Sequence, residues 1–354
     1  MGPPLTSTRR LDPRHAFDVG RLEAWLLPHI GEATRAVPVA QFDSGQSNPT
    51  YLLDAGTRKL VLRRKPAGTL LPSAHAVERE FRIMRALAAT SVPVPRCIAL
   101  CEDPSVIGSA FYIMEYVEGR IFHDQTLSSL PRGERAAIYD EMNRVIAELH
   151  CLDPDTIGLG DYGRAGHYIE RQVQRWTRQY RASQTQEIPA MERLIEWLPR
   201  HLPPEDETRI VHGDFRLDNV IFDPHEPRIR AILDWELSTL GCPLADFAYH
   251  CLAWYRSPDT TQGLHGLDLA ALGLPTATEY LAAYCARRGR EVPAPEHWEY
   301  YIVFNMFRLA GILQGVAARA LQGNASSSQA AAHGSAARPL AEEAWRRVAA
   351  LGAG

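Results

Sequence analysis

Two aspartates and an asparagine stand in one short stretch of this sequence at a spacing suited to phosphoryl transfer. The stretch HGDFRLDNVIFDPHEPRIRAILDWE places Asp214 five residues before Asn219 and twenty residues before Asp234. In transfer from a nucleotide, one carboxylate orients and deprotonates the attacking hydroxyl, while amide and carboxylate oxygens hold Mg²⁺ against the phosphates. We therefore interpret Asp214 as a catalytic base, and Asn219 and Asp234 as Mg²⁺ ligands. The alternative is a pair of solvated turns.

Other chemistries fit this stretch less well. Metal-dependent hydrolases typically use histidine ligands, and we interpret His212 as a residue that braces the loop rather than as a ligand. A nucleotide-binding module without catalysis is a further alternative, although such a module has no reason to hold Asp214, Asn219 and Asp234 together.

The residues before this stretch predict a small lobe rich in β-structure. Apolar and β-branched runs between residues 37 and 66, broken by SGQSNP and DAGT, predict three strands joined by turns. Apolar residues recur at helical spacing over 75–90, which predicts a helix. Two more strands are predicted at PRCIAL and FYIMEYV. The result is a five-stranded antiparallel sheet with one inserted helix.

From Pro131 onward the pattern is mainly helical. Helices are predicted over 132–150, 166–182, 189–200, 244–256, 276–289 and 297–320. Two short strands are predicted around 219–223 and 229–234. The predicted fold is α+β with an N-terminal arm and helix (1–36), a nucleotide-binding N-lobe (37–117) and a mainly helical C-lobe (118–354). A ligand site is expected in the cleft between the two lobes.

Composition narrows the class of partner. The 354 residues carry a net charge of -4, which argues against bulk affinity for nucleic acid or membrane. The apolar runs fall short of the ~20 residues that a membrane helix needs, so no membrane partner is expected. Six scattered cysteines are typical of reduced thiols in a cytoplasmic protein. The sequence does not define an oligomeric state.

Three motifs resemble one family. HGDFRLDN is similar to the catalytic loop, ILDWE to the metal-binding segment and GCPLADFAY to the following element of the aminoglycoside phosphotransferase and choline kinase superfamily. These are relatives of protein kinases that phosphorylate small molecules. The resemblance implies a bilobal protein-kinase-like fold, ATP (or GTP) and Mg²⁺ as the nucleotide and metal, and Asp246 as a brace for the catalytic loop.

The small lobe also resembles this superfamily. MEYVEG is similar to the kinase hinge, where the backbone of Glu115 and Val117 is expected to contact an adenine edge. Glu80 matches the helix glutamate that pairs with a cation on the third strand. In SGQSNPTY, which takes the place of the phosphate-covering loop, three residues can offer backbone donors: Gly45, Ser47 and Asn48.

The third strand departs from the family pattern. KLVLRRKP places Arg63 where the superfamily usually has lysine. An arginine remains cationic and can fork onto phosphate oxygens, so activity is compatible with the substitution. Lys65, two residues along the same strand face, is the alternative cation if the register differs.

Two observations bear on the acceptor, the molecule that would receive the phosphoryl group. VLRRKPAG, MEYVEGR and RWTRQY resemble a branch that also occurs as the N-terminal domain of some animal acyl-CoA dehydrogenases, which implies a hydroxyacyl-CoA acceptor. On the helix over 166–182, one face is apolar and the other carries Arg171 and Arg175. Such a basic face favours an anionic small-molecule acceptor and disfavours polycationic aminoglycosides. A solvated face without a ligand and an aminoglycoside- or amino-alcohol-type kinase are the alternatives.

Overall fold

The computed structural model describes residues 8–9, 16–30, 39–42, 48–54, 58–66, 75–204, 207–258, 262–321 and 336–352. Within these residues the predicted α+β architecture is confirmed: a sheet-rich lobe precedes a mainly helical lobe.

The small lobe is built on one antiparallel sheet. Its strands are β1 (Thr8–Arg9), β2 (Val39–Phe42), β3 (Thr50–Asp54), β4 (Lys59–Arg64), β5 (Cys97–Cys101) and β6 (Phe111–Glu115). Their order is β1-β2-β3-β4-β6-β5, and each neighbouring pair is antiparallel. The five predicted strands are present. The two-residue edge strand β1 is an addition, because the sequence analysis treats this segment as part of an arm.

Two helices cover the two faces of this sheet. Leu22 and Leu26 of α1 (Val19–Ile30) share a buried cluster with alternate residues of β4, Leu60 and Leu62. On the other face, α2 (Val77–Leu87) packs against residues of the intervening positions. Arg63 follows Val61 on the α2 side, because successive side chains of a strand alternate between its two faces.

The helical lobe contains most of the remaining elements. Its longer helices are α4 (Arg132–Cys151), α5 (Tyr168–Ala182), α6 (Pro189–Trp197), α7 (Pro243–His250), α9 (Ala277–Arg287), α10 (Pro295–Leu321) and α11 (Ala337–Ala350). Two single-turn helices are α3 (Pro104–Ile107), in the small lobe, and α8 (Leu269–Leu272). All six cysteines are free thiols.

Differences from the predicted elements are local. The helix predicted over 244–256 is α7 followed by a 3-10 helix, Cys251–Tyr255. The predicted hairpin forms from β8 (Val220–Phe222) and β9 (Ile229–Ile232). A second pair is unpredicted and joins β7 (Arg209–Val211) to β10 (Thr239–Gly241). Three-residue strands carry too little alternation to be recognised in a sequence.

Helix α10 corrects the expectation that the apolar runs are too short for a membrane helix. Among the described residues it is long and apolar enough to cross a membrane, with a mean hydropathy of 1.4 over its best window. However, 67% of that window is buried inside the protein, and the core helix of a globular domain passes the same test.

The connection between the lobes is pinned to the hairpin that follows the predicted catalytic loop. Arg120 and Phe222 exchange two backbone hydrogen bonds of 2.8 Å. A Cβ on Gly119 would lie 2.1 Å from the carbonyl oxygen of Phe222, so glycine is required for this close approach. The hinge segment and the catalytic loop are thereby held next to each other.

Candidate active site

A buried aspartate holds the start of the predicted catalytic loop, residues 212–219. Asp246 on α7 accepts hydrogen bonds from the backbone N–H groups of His212 and Gly213, at 2.7 and 2.8 Å. Burial alone would raise its pKa, but the hydrogen bond and charge of His150 and the N–H of His212 hold the pKa of Asp246 below its ordinary value. Gly213 has a φ of 84°, and a Cβ there would meet a backbone carbonyl oxygen at 2.8 Å.

The ring of His212 links this loop to the end of β9. Its Nδ1 accepts the backbone N–H of Asp214 at 3.1 Å, so Nε2 carries the proton that is donated to the carbonyl of Leu233 at 2.9 Å. The N–H of Leu233 in turn donates to the carbonyl of Asn219 at 2.8 Å. His212 therefore contacts the loop and its neighbouring strand, which fits the bracing role that the sequence analysis predicts.

The carboxylate of Asp214 is oriented from two sides. The Tyr249 hydroxyl donates to Oδ1 at 2.8 Å, and Nδ2 of Asn219 donates to Oδ2 at 2.9 Å and to the Asp214 carbonyl at 2.8 Å. Each carboxylate oxygen has more than one lone pair, so these contacts leave Asp214 able to accept a proton. The amide nitrogen of Asn219 is engaged here, which leaves its carbonyl oxygen as the donor atom for a cation.

Asp234 adopts an unusual backbone conformation at the predicted metal site. Its φ is 64°, in the left-handed region, and Oδ1 lies 2.6 Å from Nη2 of Arg63. The described residues contain no group of three or more His, Cys, Asp or Glu side chains that could hold a metal by themselves. Mg²⁺ is commonly bound by one or two carboxylates together with nucleotide phosphates and water. The oxygens of Asn219 and Asp234 fit such a shared site.

Arg63 is the centre of a buried polar network between the sheet and α2. Its Nε lies 2.8 Å from Oε2 of Glu80, whose side chain is 1% exposed. The Tyr112 hydroxyl donates to Oε2 of Glu80 at 3.1 Å, and Nδ2 of Asn48 donates to Oε1 at 2.7 Å. Arg63 thereby connects Glu80 on α2 to Asp234, the predicted metal ligand.

The ionisation of this network follows from burial and charge. Burial by itself lowers the pKa of Arg63, but the charges of Glu80 and Asp234 raise it above its ordinary value. Burial raises the pKa of Glu80, against the opposing effect of Arg63. Lys65 is outside this network and pairs with Glu78 at 2.8 Å.

An apolar pocket lies between the lobes, next to these polar groups. Its walls include apolar side chains from both lobes: Val61, Met84, Met114, Ile121, Ile221 and Leu233. Arg63, Asn219 and Asp234 line one part of it, and Glu115 and Val117 another. The N–H of Glu115 already donates to the carbonyl of Arg96 at 3.0 Å, so its contact with an adenine edge would use its carbonyl oxygen.

The predicted phosphate-covering loop is only partly visible. Gly45 and Ser47 lie outside the described residues. Asn48 is described and fully buried, and its side chain bridges Glu80 and His75 through contacts of 2.7 and 3.0 Å.

Three residues beside Asp214 escaped the sequence analysis. Arg216 lies 3.4 Å from Oδ1 of Asp214 through its Nε. Arg308 donates to the carbonyl of Gly213 at 2.5 Å, and its guanidinium lies 4.5 Å from the centre of the Tyr249 ring. Tyr249 follows Asp246 by one helical turn, which was an available signal. Arg308 stands within the apolar run YIVFNMFRLAGIL, where a charged side chain is expected to be buried beside a polar partner.

The two arginines of the predicted basic face of α5 contact different groups. The guanidinium of Arg171 donates to the carbonyls of Gly166 and, at 2.6 Å, Arg164, so it contacts the preceding loop. Arg175 lies over the ring of Trp176 at 5.5 Å, and Arg308 lies over the same ring, also at 5.5 Å. Of the two arginines predicted to bind the acceptor, Arg175 therefore shares a ring with Arg308, which is the residue that contacts the catalytic loop.

Tyr249→Phe should lower kcat by about 10- to 150-fold, because a hydrogen bond to a charged group contributes about 1.5–3 kcal/mol and the base would lose part of its orientation. The KM for ATP should change little, since Tyr249 does not line the pocket between the lobes. Steady-state kinetics measures both. Tyr300→Phe is the matched control, because it removes another buried tyrosine hydrogen bond, to the carbonyl of Leu198 at 3.0 Å. Equal losses of kcat in the two variants would contradict a specific role for Tyr249.

Known proteins resemble this chain over most of its length. Residues 38–298 match the model of the phosphotransferase enzyme family, APH. Acyl-CoA dehydrogenase family member 10 from Mus musculus is 50% identical over 344 residues, which are 96% of this chain and 32% of that protein. The chain thus spans about a third of the length of this relative.

Two solved structures extend the comparison. A protein from Ralstonia eutropha JMP134, provisionally described as an aminoglycoside phosphotransferase, is 52% identical, with a TM-score of 0.85 over 94% of this chain and 98% of that one. A thermostable mutant of aminoglycoside phosphotransferase APH(4)-Ia, in complex with ADP and hygromycin B, is 17% identical and shares the fold, with a TM-score of 0.60 over 92% and 98% of the two chains. The kinase-like fold is confirmed, and since the family model matches well over half of its residues, this chain belongs to the phosphotransferase enzyme family.

Proposed function

We propose that this chain transfers the γ-phosphoryl group of Mg·ATP to a hydroxyl of a small molecule. The observation that carries the proposal is one connected set of contacts at the polar end of an apolar pocket. The side chain of Asn219 donates a hydrogen bond to Asp214, and the N–H of Leu233, the residue before Asp234, donates to the carbonyl of Asn219. A binding module without catalysis would not require an oriented carboxylate beside the two metal-type oxygen donors.

The residues suggest how the transfer proceeds. The apolar walls of the pocket accommodate the adenine, and the hinge backbone at Glu115 and Val117 contacts its edge. Mg²⁺ at Asn219 and Asp234 supplies charge neutralisation of the phosphates. Asp214 accepts the proton of the acceptor hydroxyl. The oxygen of that hydroxyl bonds to the γ-phosphorus while the bond between this phosphorus and the ADP oxygen breaks. Arg63 contributes a fixed positive charge next to the phosphates, in the position where the superfamily usually has lysine.

We further propose that the acceptor is anionic, with a hydroxyacyl-CoA as the most suitable class. Two observations support this choice. Arg175 and Arg308 lie on the helical side of the catalytic loop, where positive charge would repel a polycationic aminoglycoside. In addition, a relative at 50% identity is named as an acyl-CoA dehydrogenase family member, which associates this domain with acyl-CoA chemistry.

A screen of ADP release tests the proposal. The purified chain would be supplied with Mg·ATP and a panel of hydroxyacyl-CoA thioesters, free hydroxy acids, amino alcohols, sugars and aminoglycosides. We expect turnover with at least one hydroxylated acyl acceptor and a phosphorylated product detectable by mass spectrometry. Turnover of aminoglycosides alone would refute the anionic acceptor. If no compound of the panel supported ATP consumption, the kinase activity would be refuted.

Asp234→Ala should strongly weaken Mg²⁺-dependent nucleotide binding. ATP brings several negative charges next to Asp214 and Glu236, so its affinity without the metal should be low. Titration calorimetry with Mg·ATP should give an affinity at least about tenfold weaker than that of the wild type, since loss of a metal ligand or its support typically costs 10–100-fold. Glu226→Ala is the control, because this acid lies in the same stretch but is 66% exposed. Equal Mg·ATP affinity in the two variants would remove the metal role of Asp234.

A further inference from the structure

A second, smaller pocket opens on the helical side of the catalytic loop. Its lining includes Arg216, Tyr249 and Arg256, together with the amide side chains of Gln125 and Gln262. The Tyr249 hydroxyl that lines it is the group that bonds Asp214 at 2.8 Å. The pocket therefore lies directly beside the predicted base.

The charges around this pocket are unevenly balanced. Arg216 is neutralised, because its Nη2 lies 2.7 Å from Asp218 and its Nε lies 3.4 Å from Asp214. Arg256 is half-buried, and within the described part of the chain its titratable neighbours are the cation Arg216 and the neutral hydroxyl of Tyr249, with no carboxylate among them. Burial lowers the pKa of Arg256, and the charge of Arg216 acts in the same direction.

Arg308 adds a second positive charge without an acidic partner. It is 6% exposed, and its only hydrogen bond among the described residues goes to the carbonyl of Gly213; its Nε has none. It lies over the Tyr249 ring at 4.5 Å. The two arginines Arg256 and Arg308 thus lie beside Tyr249, while the carboxylates of Asp214 and Asp218 are already paired with Arg216.

A guanidinium that is removed from water without a counter-charge is costly. A ligand that supplies negative oxygen to the pocket would offset this cost, and the planar fork of arginine suits a carboxylate or carbonyl group. The oxygen must belong to the part of the acceptor near its reacting hydroxyl, because the pocket adjoins Asp214. The phosphates of CoA are too far along the molecule, since the whole pantetheine arm separates them from the acyl group.

We propose that Arg256, supported by Arg308 through Tyr249, binds an acyl oxygen of the acceptor close to the hydroxyl that is phosphorylated. This inference rests on the proposed kinase function and specifies the acceptor as a hydroxylated acyl compound. The acyl oxygen is either a free carboxylate or a thioester carbonyl; both share the chemistry that a guanidinium recognises. Gln125 and Gln262 supply the amide groups at the rim of the same pocket.

The test compares Arg256→Gln and Arg256→Lys with the wild type on three kinds of acceptor. These are hydroxy acids, their CoA thioesters and diols of equal chain length that lack the acyl oxygen. In Arg256→Gln, kcat/KM for the acyl acceptors should fall about 10- to 100-fold, as expected for the loss of a charged hydrogen bond. Arg256→Lys should retain more activity. The KM for ATP and the weak turnover of diols should stay nearly unchanged.

Controls separate this inference from the proposed function. Arg346→Gln removes an arginine of α11 that is 73% exposed and should leave all parameters unchanged. Calorimetric titration with the same hydroxy acids and thioesters provides a readout without turnover. Binding that is weakened by Arg256→Gln, in a wild type that phosphorylates none of the compounds, would refute the kinase proposal and support the acyl-oxygen site. Binding and kcat/KM that do not respond to Arg256→Gln, or no binding at all, would overturn the inference.

Discussion

Asp214→Asn should lower kcat by about 10²–10⁴, which corresponds to about 3–5 kcal/mol of activation free energy. The amide cannot accept the proton of the attacking hydroxyl, yet it is nearly isosteric with the carboxylate. ATP affinity should change little, because Asp214 is not among the residues that line the nucleotide pocket. Turnover by steady-state kinetics and Mg·ATP binding by calorimetry measure the two quantities separately.

The hydrogen bonds around Asp214 define the control. An amide at this position can still accept the Tyr249 hydroxyl through its oxygen, but its nitrogen would then face Nδ2 of Asn219, which is also a donor. Asp223→Asn is matched to it: that aspartate lies in the same stretch, outside the predicted site, and accepts the N–H groups of a turn at 3.0 and 3.2 Å. A kcat for Asp214→Asn within about threefold of the Asp223→Asn value would exclude Asp214 as the base.

The sequence was most informative where several cues agreed. Residues 212–236 stood out as candidates because acidic and amide side chains there combine with strand-forming runs and a family motif. Helices such as α4 and α9 were placed within a few residues, since their apolar residues recur every three or four positions. The choice between Arg63 and Lys65 was not predictable, because β4 is buried on both faces and lacks the alternation that would fix its register; the contact of Arg63 with Glu80 decides it.

The parts that the sequence could not supply depend on contacts between distant segments. Tyr249 on α7 and Arg308 on α10 meet at Asp214 only after the helical lobe has packed. Periodicity alone does not distinguish an arginine on a solvated face from one buried against a ring. Arg171 shows the reverse case, because its guanidinium contacts the carbonyls of its own preceding loop. Packing, rather than local pattern, decides which charges reach the site.

Arg63→Ala should both destabilise the fold and weaken nucleotide use. Removal of the arginine leaves Glu80, 1% exposed, without its counter-charge, and the loss of one partner of a buried ion pair typically costs about 3–5 kcal/mol. Urea unfolding measures this difference. Because burial already raises the pKa of Glu80, the deficit should shrink as the pH falls, when the protonated side chain no longer needs a positive partner. Arg63→Lys should be milder, although one ammonium cannot fork between Glu80 and Asp234.

A double variant separates the structural and functional parts of this effect. In Arg63→Met with Glu80→Leu, both charges are replaced by apolar groups, and such replacements are often neutral for stability. The free energy of unfolding should therefore recover part of the way towards the wild-type value, since Tyr112 and Asn48 still lose their acceptor on Glu80. Mg·ATP affinity should remain low because the positive charge beside Asp234 is still absent. Lys65→Ala is the control on the same strand, since Lys65 pairs with the partly exposed Glu78. If Lys65→Ala weakened Mg·ATP binding and Arg63→Ala did not, Lys65 would be the phosphate-binding cation. The Arg63–Glu80 pair would then contribute to the stability of the small lobe alone.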